Sequence, residues 1–262
     1  MKHFDLIKKT FKKNNTFPNI KKSSLFYLTF ILNKYRLIIM VWNPIWEDIF
    51  LSQEWGKYPG EPLIRFVARN FYHLKRSNIR ILELGCGPGA NLWYCAKEGF
   101  KIYGVEGSSK AVELCTNRLN SEIPKWEGEI IIGDVTELPY QDSYFDAVID
   151  NECCSCLNFE DTKKTYLESN RVLKSNGKLF IRTFSQGSYG DQTGKRISKD
   201  MWVTDKGNTL GKGPIRFTKK EDFDLLFPKE IYANEVIEII KESKNDRNDW
   251  IIEWILEYKK II

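Results

Sequence analysis

The densest chemistry in this chain lies in nine residues, Ile81-Leu82-Glu83-Leu84-Gly85-Cys86-Gly87-Pro88-Gly89. An apolar run ending in three alternate glycines makes a tight turn and leaves bare backbone against which a ligand can lie. Gly85-x-Gly87-x-x-Ala90 also satisfies the loose dinucleotide fingerprint. On the glycines alone, a nicotinamide enzyme or a nucleotide-binding module therefore stays open. Glu83, two residues before the first glycine, is the discriminating detail. A carboxylate there suits a cationic ligand and would repel a pyrophosphate. Further acids close later apolar segments: Glu106, Asp134 and Asp150.

Such residues need strand ends and helix starts to hold them. Apolar spacing predicts a helix over Glu61–Leu74, after the Pro59-Gly60 break. Strands are predicted over Arg80–Leu84, Lys101–Glu106, Glu129–Ile132, Phe145–Asp150 and Lys178–Phe184. Helices are predicted over Ala90–Glu98, Ser108–Asn120 (capped by Ser108 or Ser109) and Glu160–Leu173. Alternating strands and helices imply an α/β, doubly wound parallel sheet that binds ligands at the strands' carboxyl ends. Glu235–Glu242 and Trp250–Tyr258, joined by a polar turn, should pair antiparallel at an edge. The Gly-rich stretch from Ser185 to about residue 216 reads as a substrate loop or lid, too irregular for core.

With those pieces in order, the chain from about Trp42 to Lys260 resembles a class I S-adenosylmethionine-dependent methyltransferase. That family's first motif is an acid followed by x-Gly-x-Gly-x-Gly, and Glu83 to Gly89 fits it in full. The resemblance implies a Rossmann-like sheet, mostly parallel with a C-terminal antiparallel pair, and S-adenosyl-L-methionine as cofactor. It implies that Glu83 holds the methionine end and that Gly85, Cys86, Gly87 and Gly89 lie beneath the cofactor. Glu106, with Gly107 and Ser108, would grip both ribose hydroxyls, since a carboxylate accepts two hydrogen bonds at once. Asp134 and Val135 would meet the adenine, and Asn151, after strand four, would face cofactor and substrate.

No Pro-Pro-aromatic run follows Asp150-Asn151, which argues against amino-directed DNA and protein-glutamine acceptors. Residues 42–59, with Trp46, Trp55 and Tyr58, resemble the aromatic lid of small-molecule methyltransferases in bacterial biosynthetic clusters. Core packing would account for these rings equally well. The expected acceptor is a small molecule or a surface-glycan precursor, methylated on O or N. An RNA or protein acceptor is the first alternative. Methyl transfer from a sulfonium is an in-line displacement that needs no metal, so alignment supplies much of the rate, roughly 7–11 kcal/mol. A hydroxyl acceptor needs a base, whereas a phosphate, a carboxylate or a free amine does not. Asp150, Glu152 and Tyr189 are the candidate catalytic residues, with Asp191 beside them. Arg182, Lys195 and Arg196 would suit an anionic acceptor, or serve only as solvated loop charges.

The 262 residues carry a net charge of +5, but its distribution is uneven. Residues 1–39 hold nine Lys or Arg and one acid, a net +8, which leaves −3 for the rest. A nucleic-acid enzyme would spread positive charge over its folded domain, so this pattern disfavours that partner. Residues 1–39 read as a basic extension suited to a membrane surface, and residues 40–262 as the methyltransferase domain, with Met40 an alternative start. No apolar run is long enough for a spanning helix. Six cysteines without disulfide or zinc spacing fit reduced thiols in a cytoplasmic protein with no metal site.

Overall fold

The computed structural model describes residues 41–244 and 249–261. The basic extension over residues 1–39, the alternative start at Met40 and the membrane-surface contact expected of that stretch lie outside the described residues. Helix α1 (Ile45–Ser52) and helix α2 (Glu61–Phe71) precede the sheet. Strand β1 (Arg80–Leu84) leads into α3 (Ala90–Lys97), and β2 (Lys101–Glu106) into α4 (Ser109–Glu122). Strands β3 (Gly128–Ile132) and β4 (Phe145–Asn151) follow, then α5 (Phe159–Val172) and β5 (Leu173–Phe184). Short strands β6 (Lys195–Ser198), β7 (Met201–Val203) and β8 (Pro214–Arg216) come next, with α6 (Phe223–Leu226). Strands β9 (Tyr232–Lys244) and β10 (Asp249–Lys260) complete the chain.

Seven strands form one sheet in the order β3-β2-β1-β4-β5-β10-β9. The first five are parallel, and β10 runs antiparallel to both β5 and β9. Both faces of the centre are covered, which is why its strands read as continuous apolar runs rather than alternations. Leu82, Leu84, Leu179 and Ile181 point to the face packed by α5 and α6. Ile81, Ile149 and Phe180 point to the face packed by α2, α3 and α4. Helix α2 shows why that layer forms: Leu63, Phe66, Val67 and Phe71 recur at helical spacing and are buried. Each such side chain contributes about 1.5–3 kcal/mol on burial. Ser108 accepts a 3.0 Å hydrogen bond from the Ala111 amide and caps α4, and Asn158 does the same for α5.

The stretch expected to be an irregular lid is instead folded. β6, β7 and β8 form their own antiparallel sheet, and Ile215 and Phe217 pack with Phe184 and Ile251 in a small core. Strands of three or four residues between glycine turns are too short to show a period, so the sequence pattern did not reveal them.

Candidate active site

A cavity of about 390 Å³ opens at the carboxyl ends of β1, β2, β4 and β5, where parallel strands of this topology leave a crevice. Gly85 (φ +57°) and Gly87 (φ +50°) take the left-handed backbone that lets β1 turn sharply into α3. A side chain at Gly85 would also run into the Cys153 thiol, 2.5 Å from its Cβ position.

Four acids line this space: Glu83, Glu106, Asp134 and Glu152. Glu83 is buried, and its Oε1 accepts a 2.5 Å hydrogen bond from Asn91 Nδ2 on α3. Its Oε2 is equally buried and has no hydrogen-bond partner in the protein. Burial, against the bond from Asn91, holds its carboxyl well above the usual range. Glu106 accepts 2.9 Å bonds from the amides of Gly87 and Ser108, one on each oxygen. Burial still raises its pKa, and the amide bonds only oppose that rise. A carboxylate offers about four acceptor positions, so Glu106 keeps room for two more donors. Asp134 Oδ1 accepts from the Thr136 amide and hydroxyl, and Oδ2 from the Val41 amide at 3.0 Å.

Of the sequence-derived binding residues, Glu83, Gly85, Cys86, Gly87, Glu106, Gly107, Asp134, Val135 and Asn151 line the cavity. Gly89 and Ser108 do not. Gly89 packs against the Cys115 thiol, and Ser108 is spent capping α4.

The candidate catalytic residues separate. Asp150 is fully buried beneath the site, where it accepts 2.7 Å from the Tyr166 hydroxyl and 3.1 Å from the Cys154 amide. Tyr189 and Asp191 belong to the folded insert: the Tyr189 amide bonds to the Trp250 carbonyl, and Asp191 accepts from the Gly187 amide. Neither lines the cavity, and neither do Lys195 and Arg196. The physical reason is the small sheet, which carries that stretch away from the strand ends. Glu152 alone of the three faces the cavity, just past the end of β4 with φ +69°.

Arg182 lines the same end, and its charge is already matched. Its Nη2 donates to Glu253 Oε2 at 2.6 Å, and its Nε lies 3.4 Å from Glu152 Oε1. A short 3-10 turn over Cys154–Cys156, capped by Cys153, places Cys153 and Cys156 on the cavity and Cys154 in the core. Among the described residues, no three or more His, Cys, Asp or Glu side chains gather as a metal site.

One wall of the cavity is aromatic. Trp42, Trp46, Phe50, Trp55 and Tyr58 all line it, and the Trp46, Phe50 and Trp55 rings lie 5.5–5.8 Å apart. Trp42 lies so close over Gly107 that a Cβ there would come within 2.5 Å of the ring. The wall is pinned through Glu47, which accepts from Ser109 Oγ at 2.7 Å and the Lys110 amide at 3.2 Å, at the start of α4. The insert braces it from outside, with Lys212 Nζ 5.3 Å from the Trp55 ring centroid. Phe50 and Asn91 were missed as site residues, since only the docking of α1 and α3 brings them there.

A family model described as a methyltransferase domain matches residues 82–181. Demethylmenaquinone methyltransferase of Thermotoga maritima is 29% identical over 170 residues, covering 63% of this chain and 69% of that protein. Phthiotriol/phenolphthiotriol dimycocerosates methyltransferase 1 of Mycobacterium ulcerans is 28% identical over 203 residues, covering 76% of this chain and 64% of that one. Among solved structures, a SAM-dependent methyltransferase from Methanosarcina mazei superposes with TM-score 0.59 at 18% identity, covering 70% of this chain and 92% of that one.

Proposed function

Because the chain is a class I S-adenosylmethionine-dependent methyltransferase, we propose that it methylates O or N of a small molecule, such as a glycan precursor, by in-line displacement. The observation that carries the cofactor's placement is Glu83 Oε2, a buried acceptor with no partner, beneath a glycine turn in an acidic cavity. The cavity residues fit a cationic adenosyl ligand. Glu83 would receive the ammonium of the methionine end, and Glu106 has acceptor positions left for two ribose hydroxyls. Asp134 Oδ2 keeps one for the adenine amine beyond its bond to Val41. When bound, S-adenosylmethionine supplies a methyl group made electrophilic by the adjacent sulfonium.

The chain's own part is alignment and exclusion of water. The turn over residues 85–89, with Gly107 and Val135, shapes the floor, and the rings of Trp42, Trp46, Phe50 and Trp55 close one side. The carboxylates of Glu83, Glu106 and Asp134 fix a ligand over β1–β3, which leaves the β4–β5 end, with Asn151 and Glu152, for the acceptor. Named relatives acting on small molecules support this acceptor class, as does the net −3 of the chain beyond residue 39 against an RNA acceptor. Six free cysteines fit a cytoplasmic setting. Calorimetric titration with adenosylhomocysteine and with NADH tests the reading. Adenosylhomocysteine should bind and NADH should not; the reverse would overturn it.

A further inference from the structure

Resting on that reading, we infer that Glu152, Arg182 and Glu253 form a proton-accepting unit, and that the acceptor enters as a proton-bearing nucleophile. A hydroxyl or an ammonium meets that description; a carboxylate or a phosphate does not.

Three observations converge on this. First, position: Glu152 and Arg182 follow β4 and end on β5, across β1 from the acids of β2 and β3. Neighbouring strands are spaced about 4.8 Å apart, so Glu152 and Arg182 would stand beside a ligand held over β1–β3, at the end left for the acceptor. Second, backbone: Glu152 is a non-glycine residue in the left-handed region, locked there by a 2.8 Å bond from its amide to the Arg182 carbonyl. Such a conformation aims its side chain into the cavity and persists only where neighbours impose it.

Third, charge. Arg182 is the sole cation lining the cavity among the described residues, and it sits between two carboxylates. It is thus spent, and Lys212, the other cation near Glu152, lies against Trp55 outside the lining, so an anionic acceptor would meet four acids and no unmatched lining cation. Arg182 Nε lies 3.4 Å from Glu152 Oε1 without forming a hydrogen bond, and the Glu152 carboxyl stands within hydrogen-bonding reach of Glu253, with which it can share a proton.

The groups that face Glu152 are Arg182 on β5, Glu253 on β10, Lys212 on the insert and Cys156 on the following turn. Burial pushes the Glu152 carboxyl up to about 7, with Arg182 pulling it down and Glu253 pushing it up. Near neutral pH such a group both accepts and releases a proton, as a general base requires.

In the step itself, the acceptor's proton passes to Glu152. The electron pair left behind forms the bond to the methyl carbon, while the C–S bond breaks with its pair staying on sulfur. The proton then leaves Glu152 for solvent. Glu152 is the catalytic residue; Arg182 and Glu253 position and tune it.

The test uses the full chain, a radiolabelled methyl donor and a low-molecular-mass metabolite extract, with adenosylhomocysteine calorimetry in parallel. Glu152→Gln should lower transfer by about 100-fold or more while adenosylhomocysteine affinity stays within about threefold. Carbon-13 NMR of labelled glutamate should show a titration near pH 7 that vanishes in that variant. The lower limb of the transfer-versus-pH profile should move down in Glu253→Gln and up in Arg182→Met, shifts that a merely structural role would not produce. Label in the product should resist mild alkali, as ethers and methylamines do. Transfer by Glu152→Gln within threefold of the parent, a lower limb unmoved in both neighbour variants, or label released by alkali as methanol from an ester would overturn the proposal. Failure of the parent chain to bind adenosylhomocysteine would overturn the underlying reading, and this proposal with it.

Discussion

Glu83, Glu106 and Asp150 are buried carboxyls whose pKa values burial raises above the ordinary range. Between the ordinary value and the raised one, the folded chain binds more protons than the unfolded chain. Stability therefore falls as pH climbs through that window. The ligand-free protein should melt at a higher temperature near pH 5.5 than near pH 8, and Glu83→Gln should flatten this slope, since the amide still accepts from Asn91. A pH-independent melting temperature would contradict the assignment. Glu106→Ala strands the amides of Gly87 and Ser108, each costing about 1–3 kcal/mol when left unpaired. Both stability and adenosylhomocysteine affinity should drop, measured by thermal melts and calorimetry. Gly87→Val forces a branched side chain into φ +50° and should abolish detectable binding.

At the scale of elements, the wall and the insert decide how closed the site is. Glu47 holds α1 against the start of α4, and its pKa is lowered: burial acts to raise it, but bonds from Ser108, Ser109 and the Lys110 backbone outweigh that. A lowered carboxyl pKa gives stability that is present above the ordinary value and lost as pH falls through the lowered one. Glu47→Ala should therefore weaken adenosylhomocysteine binding at neutral pH, by about three- to tenfold if a partly exposed bond of roughly 1 kcal/mol is lost. Calorimetry at pH 7 checks this; unchanged affinity would show that the wall is held without Glu47. The insert is tied to the sheet by the fully buried Arg216. Its Nη1 donates to Thr218 at 3.0 Å, and the Thr218, Thr183 and Ser155 hydroxyls continue the chain toward the turn beneath the cavity. Arg216→Ala should cost about 2–5 kcal/mol in denaturant unfolding, because it removes a fully buried side chain and the donor to Thr218.

For the whole molecule, we propose from the charge division that residues 40–262 are the methyltransferase domain and that cofactor binding does not need the basic stretch over residues 1–39. Residues 40–262 alone should bind adenosylhomocysteine within about threefold of the full chain, a difference of under 1 kcal/mol. With net −3, they should also wash from a phosphate matrix at low salt. Loss of binding on truncation would refute the boundary. Among the described residues, no helix is long and apolar enough to cross a membrane.

The motif, the alternation of strands with helices and the antiparallel C-terminal pair were legible in the residues, because each rests on local patterning. A glycine turn after an apolar strand, an acid at a strand end and a Ser before a helix announce themselves within a few positions. What the chain alone withheld depends on contacts between distant segments. Asp150 and Glu152, two residues apart, diverge because one points into the core beneath Tyr166 and the other turns outward at a left-handed φ. Arg182 looked available to an anion until β10 brought Glu253 within 2.6 Å of it. Tyr189 moved from candidate catalyst to scaffold because the insert packs on β10. Side-chain type and spacing thus determined which chemistry the protein carries, while only tertiary packing determined which charges face the cavity. The reason is that burial and pairing, which set a group's protonation and reach, are properties of neighbours that sequence distance does not record.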